Sequence, residues 1–166
     1  MAKKLTGVLF LLLQFILSDQ ESYFQVCDGI ENRIQEFSVD VSDCNAGEIC
    51  VVPVGTPLYI KTNFVPGDTI RGLKSRVSSK MGVLVVPKGP NRSVCPNAIS
   101  EEADRCDKAE GLVKGRHYAY IEEFPVRLQY RDMQIRVRLE FFIGHRPFRN
   151  NTLLCYEVSL KVTSDS

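Results

Sequence analysis

The stretch M-Q-I-R-V-R-L-E-F-F-I, residues 133–143, alternates apolar and polar side chains over most of its length. Successive side chains of a β-strand point to opposite faces, so this pattern gives one wholly apolar face and one polar face. A helix would distribute the same side chains around its whole circumference. The stretch therefore predicts a long antiparallel strand with one face in water, whose apolar face needs a second layer opposite it.

Shorter stretches with the same alternation, separated by turn residues, lie on both sides of this strand. They cover residues 37–41, 58–64, 118–121 and 154–162, with a weaker pattern over 69–79. Phe124-Pro125-Val126 is expected to interrupt the strand that begins at Tyr118. About six to eight short strands with no convincing helix predict an all-β sandwich of two antiparallel sheets.

Two segments are harder to interpret. Residues Met81–Val86 are apolar on both faces, which indicates either a buried strand or a strand that faces a cavity. Residues 88–116 are polar and carry two cysteines, which is typical of an ordered loop closed by a disulfide. A short helical turn around Ser100–Lys108 is compatible with that loop.

The first 18 residues have the layout of a secretory signal peptide, so the mature domain is expected at 19–166. Lys3 and Lys4 precede an apolar run from Leu5 to Leu17, which is too short to span a bilayer comfortably. An uncleaved anchor is the alternative. Removal of the two lysines would lower the formal net charge from +1 to −1. Such a nearly neutral chain without basic clusters argues against nucleic-acid binding.

The six cysteines all follow the signal segment, and behind such a segment an even number indicates three disulfides. Fifteen pairings are possible in principle. The close spacing of Cys44 with Cys50, and of Cys95 with Cys106, makes two local bridges plausible. Cys27 would then join Cys155. Zinc binding is the alternative role for these cysteines. Because the chain has no C-x-x-C and only two histidines, no metal is expected.

Nothing in the sequence predicts an enzyme or a cofactor. His117 and His145 are expected at the surface, and the adjacent carboxylates of Glu122 and Glu123 would point to opposite faces of a strand. The chain has no Gly-rich phosphate loop and no G-x-S-x-G. The sequons at Asn91 and Asn150 predict surface glycosylation.

Several phrases of the sequence, in order, resemble the ML lipid-recognition family, which includes the soluble Niemann-Pick type C sterol carrier and the group 2 mite allergens. They are V-C-D-G at 26–29, the pair Cys44/Cys50, M-G-V at 81–83, Y-A-Y-I-E-E-F-P-V-R-L-Q-Y at 118–130 and C-Y-E-V-S-L-K-V at 155–162. The resemblance implies an immunoglobulin-like sandwich with an apolar cavity between its sheets. It also implies the pairing Cys27–Cys155, Cys44–Cys50 and Cys95–Cys106.

The resemblance further implies a set of lipid-binding residues, drawn from three segments of the chain. They are Val83, Val85, Pro125, Val126, Tyr130 and Leu139. We expect Tyr130 to place its hydroxyl at the mouth of the cavity. Ordinary core packing is the competing interpretation for the aliphatic members.

Three functional hypotheses follow. The first is a secreted monomeric carrier, extracellular or in an endosomal or lysosomal lumen. It would hold one sterol, fatty acid or similar apolar lipid and deliver it to a membrane or a membrane receptor. The second is a lipid-sensing co-receptor or innate immune recognition factor, which would show an exposed apolar or charged patch around the cavity mouth. The third is a packed secreted β-domain without a ligand.

Overall fold

The computed structural model describes residues 24–45, 49–100, 106 and 111–164. The predicted signal peptide at 1–18 and most of the possible helical turn around 100–108 lie outside these residues. Within them the chain forms β-strands and two single 3₁₀ turns, Cys95–Asn97 and Leu128–Tyr130. No helix in this part of the chain is long and apolar enough to cross a membrane.

Eleven strands are present in the described residues. They are β1 (Phe24–Val26), β2 (Ile34–Val41), β3 (Cys50–Pro53), β4 (Pro57–Pro66), β5 (Leu73–Met81), β6 (Leu84–Pro87), β7 (Arg92–Ser93), β8 (Ala98–Ser100), β9 (Tyr118–Pro125), β10 (Gln134–Ile143) and β11 (Thr152–Thr163).

The strands form two sheets that face each other. The large sheet has the order β1-β11-β10-β5-β6, with β3 also paired to β11 and β7 also paired to β5. The small sheet has the order β2-β4-β9-β8. Every pairing is antiparallel except that of β3 with β11. The predicted all-β sandwich of two sheets is therefore confirmed.

Strand β10 lies at the centre of the large sheet, between β5 and β11. Its apolar residues Ile135, Val137, Leu139 and Phe141 are all buried, as the alternation predicts. The register places Leu139 beside Val77 of β5 and Tyr156 of β11. These rows of side chains form the inner face of the large sheet, and they pack against the inner face of the small sheet in one core.

One detail of the strand prediction was confirmed and one was wrong. Strand β9 ends at Pro125, within the expected interruption at Phe124-Pro125-Val126, and Pro125 pairs with Pro57, the first residue of β4. A proline at a strand end removes no ladder hydrogen bond that the sheet needs. The segment 81–86 does not form one buried strand: β5 ends at Met81, and the four residues of β6 are exposed at the edge of the sheet.

The three disulfides pair as expected: Cys27–Cys155, Cys44–Cys50 and Cys95–Cys106. The first joins residues 128 positions apart and fixes the start of the domain to the outer side of β11. The second joins residues only 6 positions apart. A crosslink restricts the unfolded chain more when the loop it closes is longer, so the first bridge should contribute most to stability.

We predict that replacing both Cys27 and Cys155 by alanine lowers the free energy of unfolding by about 5 kcal/mol, from the entropy of closing so long a loop. The matched double replacement of Cys44 and Cys50 should cost about 2 kcal/mol. Guanidinium denaturation measures both. Equal losses in the two variants would show that loop length does not set the contribution of these bridges.

Candidate functional site

Three of the predicted lipid-binding residues, Val126, Tyr130 and Leu139, belong to the same buried core between the sheets. Tyr130 lies in the turn that follows β9 and stacks on Phe124, with ring centroids 5.9 Å apart. Its hydroxyl donates to Ser79 Oγ of β5 at 3.2 Å. Tyr130 therefore bridges the two layers, and its hydroxyl, expected at a cavity mouth, is bonded inside the protein.

The other three predicted residues are exposed. Pro125 ends β9, and Val83 lies in the turn between β5 and β6. Val85 pairs with Lys80, whose Nζ lies 3.4 Å from Glu157 Oε1 on the outer face of the large sheet. Because paired residues share a face, Val85 points away from the core.

Leu84 and Val86 are the residues of β6 that share the inner face, since they pair with Met81 and Ser79. The structure thus places Val83 in a two-residue turn with Gly82 and Val85 on the outer face, whereas the inner positions of this segment are Leu84 and Val86. Gly82 has a φ of +58°, which is typical of such hairpin turns. The M-G-V sequence could have indicated this turn, but the surrounding apolar run masked it.

The inner side chains of the two sheets are closely packed. Val126, Tyr130, Leu139, Phe124 and Phe141 each expose at most 2 % of their surface. A space that admitted a water molecule would leave accessible surface on the side chains around it. The expected cavity is therefore closed at these residues, and an apolar guest would have to separate the sheets.

Hydrogen bonds between buried polar side chains connect the sheets in the middle and at one end. Thr62 of the small sheet bonds Tyr156 of the large sheet, with 2.6 Å between the hydroxyl oxygens. Ser75 of β5 bonds Tyr120 of β9 at 2.7 Å. These two bonds lie at the levels of Leu139 and Phe141 along β10.

A buried carboxylate extends the second of these contacts. Tyr120 donates to Glu122 Oε2 at 2.6 Å, and Arg92 Nη1 of β7 lies 3.0 Å from Glu122 Oε1. Burial, followed by the hydrogen bond to Glu122, raises the pKa of Tyr120 well above its ordinary value of 10.0. Glu122 is buried and Glu123 exposed, which confirms that the two carboxylates point to opposite faces. We call Ser75, Tyr120, Glu122 and Arg92 the polar clasp.

At the opposite end of the sandwich, where β10 begins, the side chains between the sheets are mainly apolar. We call it the apolar end. Val126, Ile135 and Leu160 are buried there, and the partly buried Met81 packs against the core to which they belong. The disulfide that joins the segment after β2 to the first residue of β3 also lies at this end, because Cys50 pairs with Leu160.

Near this end the Tyr130 hydroxyl donates to Ser79 across the layers, and the Gly55 N–H donates to the Val126 carbonyl oxygen at 2.8 Å. The two ends of the inter-sheet layer therefore differ in the chemistry of the side chains between the sheets.

The outer face of the large sheet carries a separate charge cluster around Glu157. Lys80, Arg136 and Arg138 lie 3.4, 3.4 and 3.8 Å from its carboxylate oxygens. These are the polar positions of the alternating strands, so the cluster neutralises a buried carboxylate outside the inter-sheet layer. No group of three or more potential metal ligands occurs among the described residues.

Both histidines and both sequon asparagines are exposed. Asn91 Nδ2 donates to the His145 carbonyl oxygen at 3.0 Å, and Asn150 lies in the turn between β10 and β11. Glycosylation at these two positions stays a prediction.

No protein-family model matches the sequence, and no curated protein sequence is similar enough to be matched. Among solved structures, the chain is similar to a Niemann-Pick type C2 protein from the Japanese carpenter ant. The TM-score is 0.60 at 18 % identity, over 84 % of this chain and 98 % of the ant protein. This likeness shows a shared fold. The C-terminal domain of wzt gives a TM-score of 0.49 at 13 % identity, over 88 % of this chain and 80 % of that domain, which is too low to support an argument.

A double-mutant cycle tests the bond between the sheets at the middle of the core. Thr62→Val or Tyr156→Phe alone leaves a buried hydroxyl without this partner and should cost about 1–3 kcal/mol of unfolding free energy. The double variant should cost less than the sum, as measured by chemical denaturation. Tyr59→Phe, on the outer face of β4, is the control and should combine additively with Thr62→Val. Additivity in the Thr62/Tyr156 pair would show that the bond is not formed.

The polar clasp predicts a loss of stability at alkaline pH. In the unfolded chain Tyr120 loses its proton near pH 10, whereas in the folded protein its raised pKa keeps the proton bound. The stabilisation is complete below pH 10 and falls by up to about 1.4 kcal/mol per pH unit above it. Tyr120→Phe should make the unfolding free energy less steep between about pH 10 and 11.5. An unchanged slope would contradict a buried neutral Tyr120.

Proposed function

We propose that this protein is a secreted lipid-binding and transfer protein that holds a sterol, fatty acid or similar apolar ligand between its two sheets. The observation that carries the proposal is the asymmetry of the inter-sheet layer, whose inner side chains form buried polar bonds at one end and are mainly apolar at the other. The fold shared with the ant Niemann-Pick type C2 protein supports it.

The free-energy costs of breaking the contacts between the sheets favour entry of a ligand at the apolar end. Moving the inner side chains of β5 away from the turn after β9 breaks one neutral side-chain hydrogen bond, Tyr130–Ser79, worth about 1 kcal/mol. The Cys44–Cys50 disulfide at this end stays intact and limits how far the sheets can separate. An apolar ligand at the polar clasp would break the hydrogen bond of Ser75 with Tyr120 and leave the buried carboxylate of Glu122 without Arg92, which costs more than a neutral hydrogen bond. A ligand gains about 2.5 kcal/mol for each 100 Å² of apolar surface removed from water. Burial of about 100 Å² of apolar ligand surface therefore more than offsets the loss of the Tyr130–Ser79 hydrogen bond.

The ligand would contact the residues that line the opening at the apolar end. Val126, Tyr130 and Leu139 remain in this set, and Pro125 lies at its rim. Leu84 and Val86 take the places of Val83 and Val85, because their side chains share the inner face of the sheet. Tyr130 would move when the sheets separate, since its ring and its hydroxyl contact both layers.

The location proposed is the extracellular space or an endosomal or lysosomal lumen. Three disulfides are typical of proteins that fold in an oxidising compartment. The predicted signal segment agrees with that compartment.

A lipid-sensing co-receptor is the second candidate, and the exposed apolar segment of β6 beside the apolar end favours it. The two functions differ in what the purified protein does alone. A carrier moves a fluorescent sterol or fatty acid between vesicles without another protein, whereas a co-receptor binds the lipid but does not accelerate its transfer.

The direct test of ligand binding has two parts. Organic extraction of the purified protein followed by mass spectrometry should release an apolar lipid in about equimolar amount. Titration of the delipidated protein with a fluorescent sterol and a fluorescent fatty acid should show saturable binding of at least one. Absence of both extracted lipid and saturable binding would leave a packed β-domain without a ligand.

We predict that Val126→Phe or Leu139→Trp weakens this binding at least about tenfold, because the larger side chains occupy the space that the ligand needs. Each variant should lose about 1–3 kcal/mol of stability but remain folded. The matched control is Ile121→Phe, which adds similar volume on the exposed face of β9. Unchanged affinity in both core variants would remove these positions from the site.

A further inference from the structure

The outer face of the large sheet is strongly basic, although the whole chain is nearly neutral. The register of β5, β10 and β11 places two carboxylates on this face, Glu140 and Glu157. It places six cations there, namely Lys74, Arg76, Lys80, Arg136, Arg138 and Lys161. We call this surface the basic face. Because the formal net charge of the whole chain is only +1, the excess of positive charge is concentrated here, and such a surface attracts anions.

Neutralisation of Glu157 does not account for the whole basic face. Three of the six cations surround that carboxylate, as described above. The other three, Lys74, Arg76 and Lys161, form no ion pair within the described part of the chain. Their charges remain available to an anion from outside the molecule.

Two buried hydrogen-bond donors lie side by side in the middle of the basic face. Ser78 of β5 pairs with Arg138 of β10, so their side chains are neighbours on the same side of the sheet. Ser78 Oγ and Arg138 Nε are both buried, and neither has a hydrogen-bond partner among the described residues. On its other side Ser78 pairs with Pro87, whose side chain neither donates nor accepts a hydrogen bond.

The group that this pair of donors lacks is an acceptor. A guanidinium group only donates, and the Ser78 hydroxyl beside it has a hydrogen of its own to donate. A buried donor without an acceptor costs about 1–3 kcal/mol, and most buried polar groups are therefore satisfied in folded proteins. The surrounding cations favour an acceptor that carries negative charge, because hydrogen bonds between charged groups are the stronger ones.

We propose that the basic face binds a sulfated polysaccharide, in which one sulfate group accepts hydrogen bonds from Ser78 Oγ and Arg138 Nε. Along β5, side chains on the same face recur about every 7 Å, so a linear polyanion that follows the strand would also meet Lys74, Arg76 and Lys80. Arg76 and Lys80 are half-buried beside Ser78 and would turn aside as the sulfate approaches. The inference does not rest on the proposed function, because the inter-sheet layer lies on the other side of the large sheet.

The side chains of the basic face favour a polysaccharide over a single-stranded nucleic acid. Proteins that bind single strands stack the bases on aromatic rings. The outward rows of β5, β10 and β11 have no exposed aromatic ring. A sulfate group requires only cations and hydrogen-bond donors, and the basic face has both.

Binding of fluorescein-labelled heparin to the full chain, measured by fluorescence anisotropy at several salt concentrations, tests the proposal. Wild type should bind heparin saturably and bind desulfated heparin at least about tenfold more weakly. The logarithm of the affinity should fall linearly with the logarithm of the salt concentration. Lys74→Gln/Arg76→Gln should reduce that slope by about 1 for each cation removed. The matched control Lys61→Gln/Arg127→Gln removes the same charge at exposed positions outside the basic face and should leave the slope unchanged.

Ser78→Ala separates a binding role from a structural one. Removal of a buried hydroxyl that has no partner should leave the free energy of unfolding unchanged or raise it. The affinity for heparin should nevertheless fall about fivefold, because one hydrogen bond to the sulfate is lost. Ser79→Ala is the matched control on the inner face. It deprives the Tyr130 hydroxyl of its acceptor, so it should lower stability and leave the affinity for heparin unchanged.

The proposal would be overturned if wild type and Ser78→Ala bound heparin equally, or if the two double variants lost affinity equally. A DNA oligonucleotide that competed as well as heparin at equal charge would contradict it too, since the surface would then bind any polyanion. Inorganic sulfate is the remaining comparison. If it displaced heparin where sodium chloride of equal ionic strength did not, the ligand would be a small free anion rather than a polysaccharide.

Discussion

The polar bonds between the two sheets are unevenly distributed, and this distribution determines where a ligand could enter the interior. In water-free surroundings a hydrogen bond between hydroxyls is costly to break, and a paired carboxylate is costlier still. Such bonds connect the sheets through Thr62 and Tyr156 in the middle and through the polar clasp at one end. The apolar end has mainly dispersion and hydrophobic contacts, which a ligand of similar chemistry can replace.

This arrangement reconciles a closed core with the proposed binding function. Aromatic contacts such as those of Phe64 with Phe141 and of Phe124 with Tyr130 fill the interior. In the absence of a ligand these contacts keep the interior dry and the fold stable. The disulfide of Cys27 with Cys155 and the polar clasp hold the frame while the apolar end changes. Replacing apolar contacts within the protein by apolar contacts with a ligand changes the free energy little. Specificity for one ligand would therefore come from the size and shape of the space that opens between the sheets.

The sequence predicts the sandwich well, because alternation over β10 and β11 directly reports which face of each strand is buried. The prediction fails where alternation does not distinguish the two faces of a strand. In the run around Gly82 both faces are apolar, so only the register with β5 shows that Leu84 and Val86 share the inner face. Alternation assigns Glu122 and Tyr120 to the same face of β9, but Arg92, which pairs with Glu122, and Ser75, which bonds Tyr120, come from distant parts of the chain. Such contacts depend on tertiary structure.

The proposed apolar ligand lies between the sheets at the apolar end. NMR of the protein with ¹³C-labelled fatty acid or sterol tests this placement most directly, through nuclear Overhauser effects between ligand protons and assigned methyl groups. We predict contacts to the methyl groups of Val126 and Leu139, with the resonances of Ser75 and Tyr120 in the polar clasp little changed. Contacts confined to exposed methyl groups such as those of Ile99 and Ile121 would contradict it.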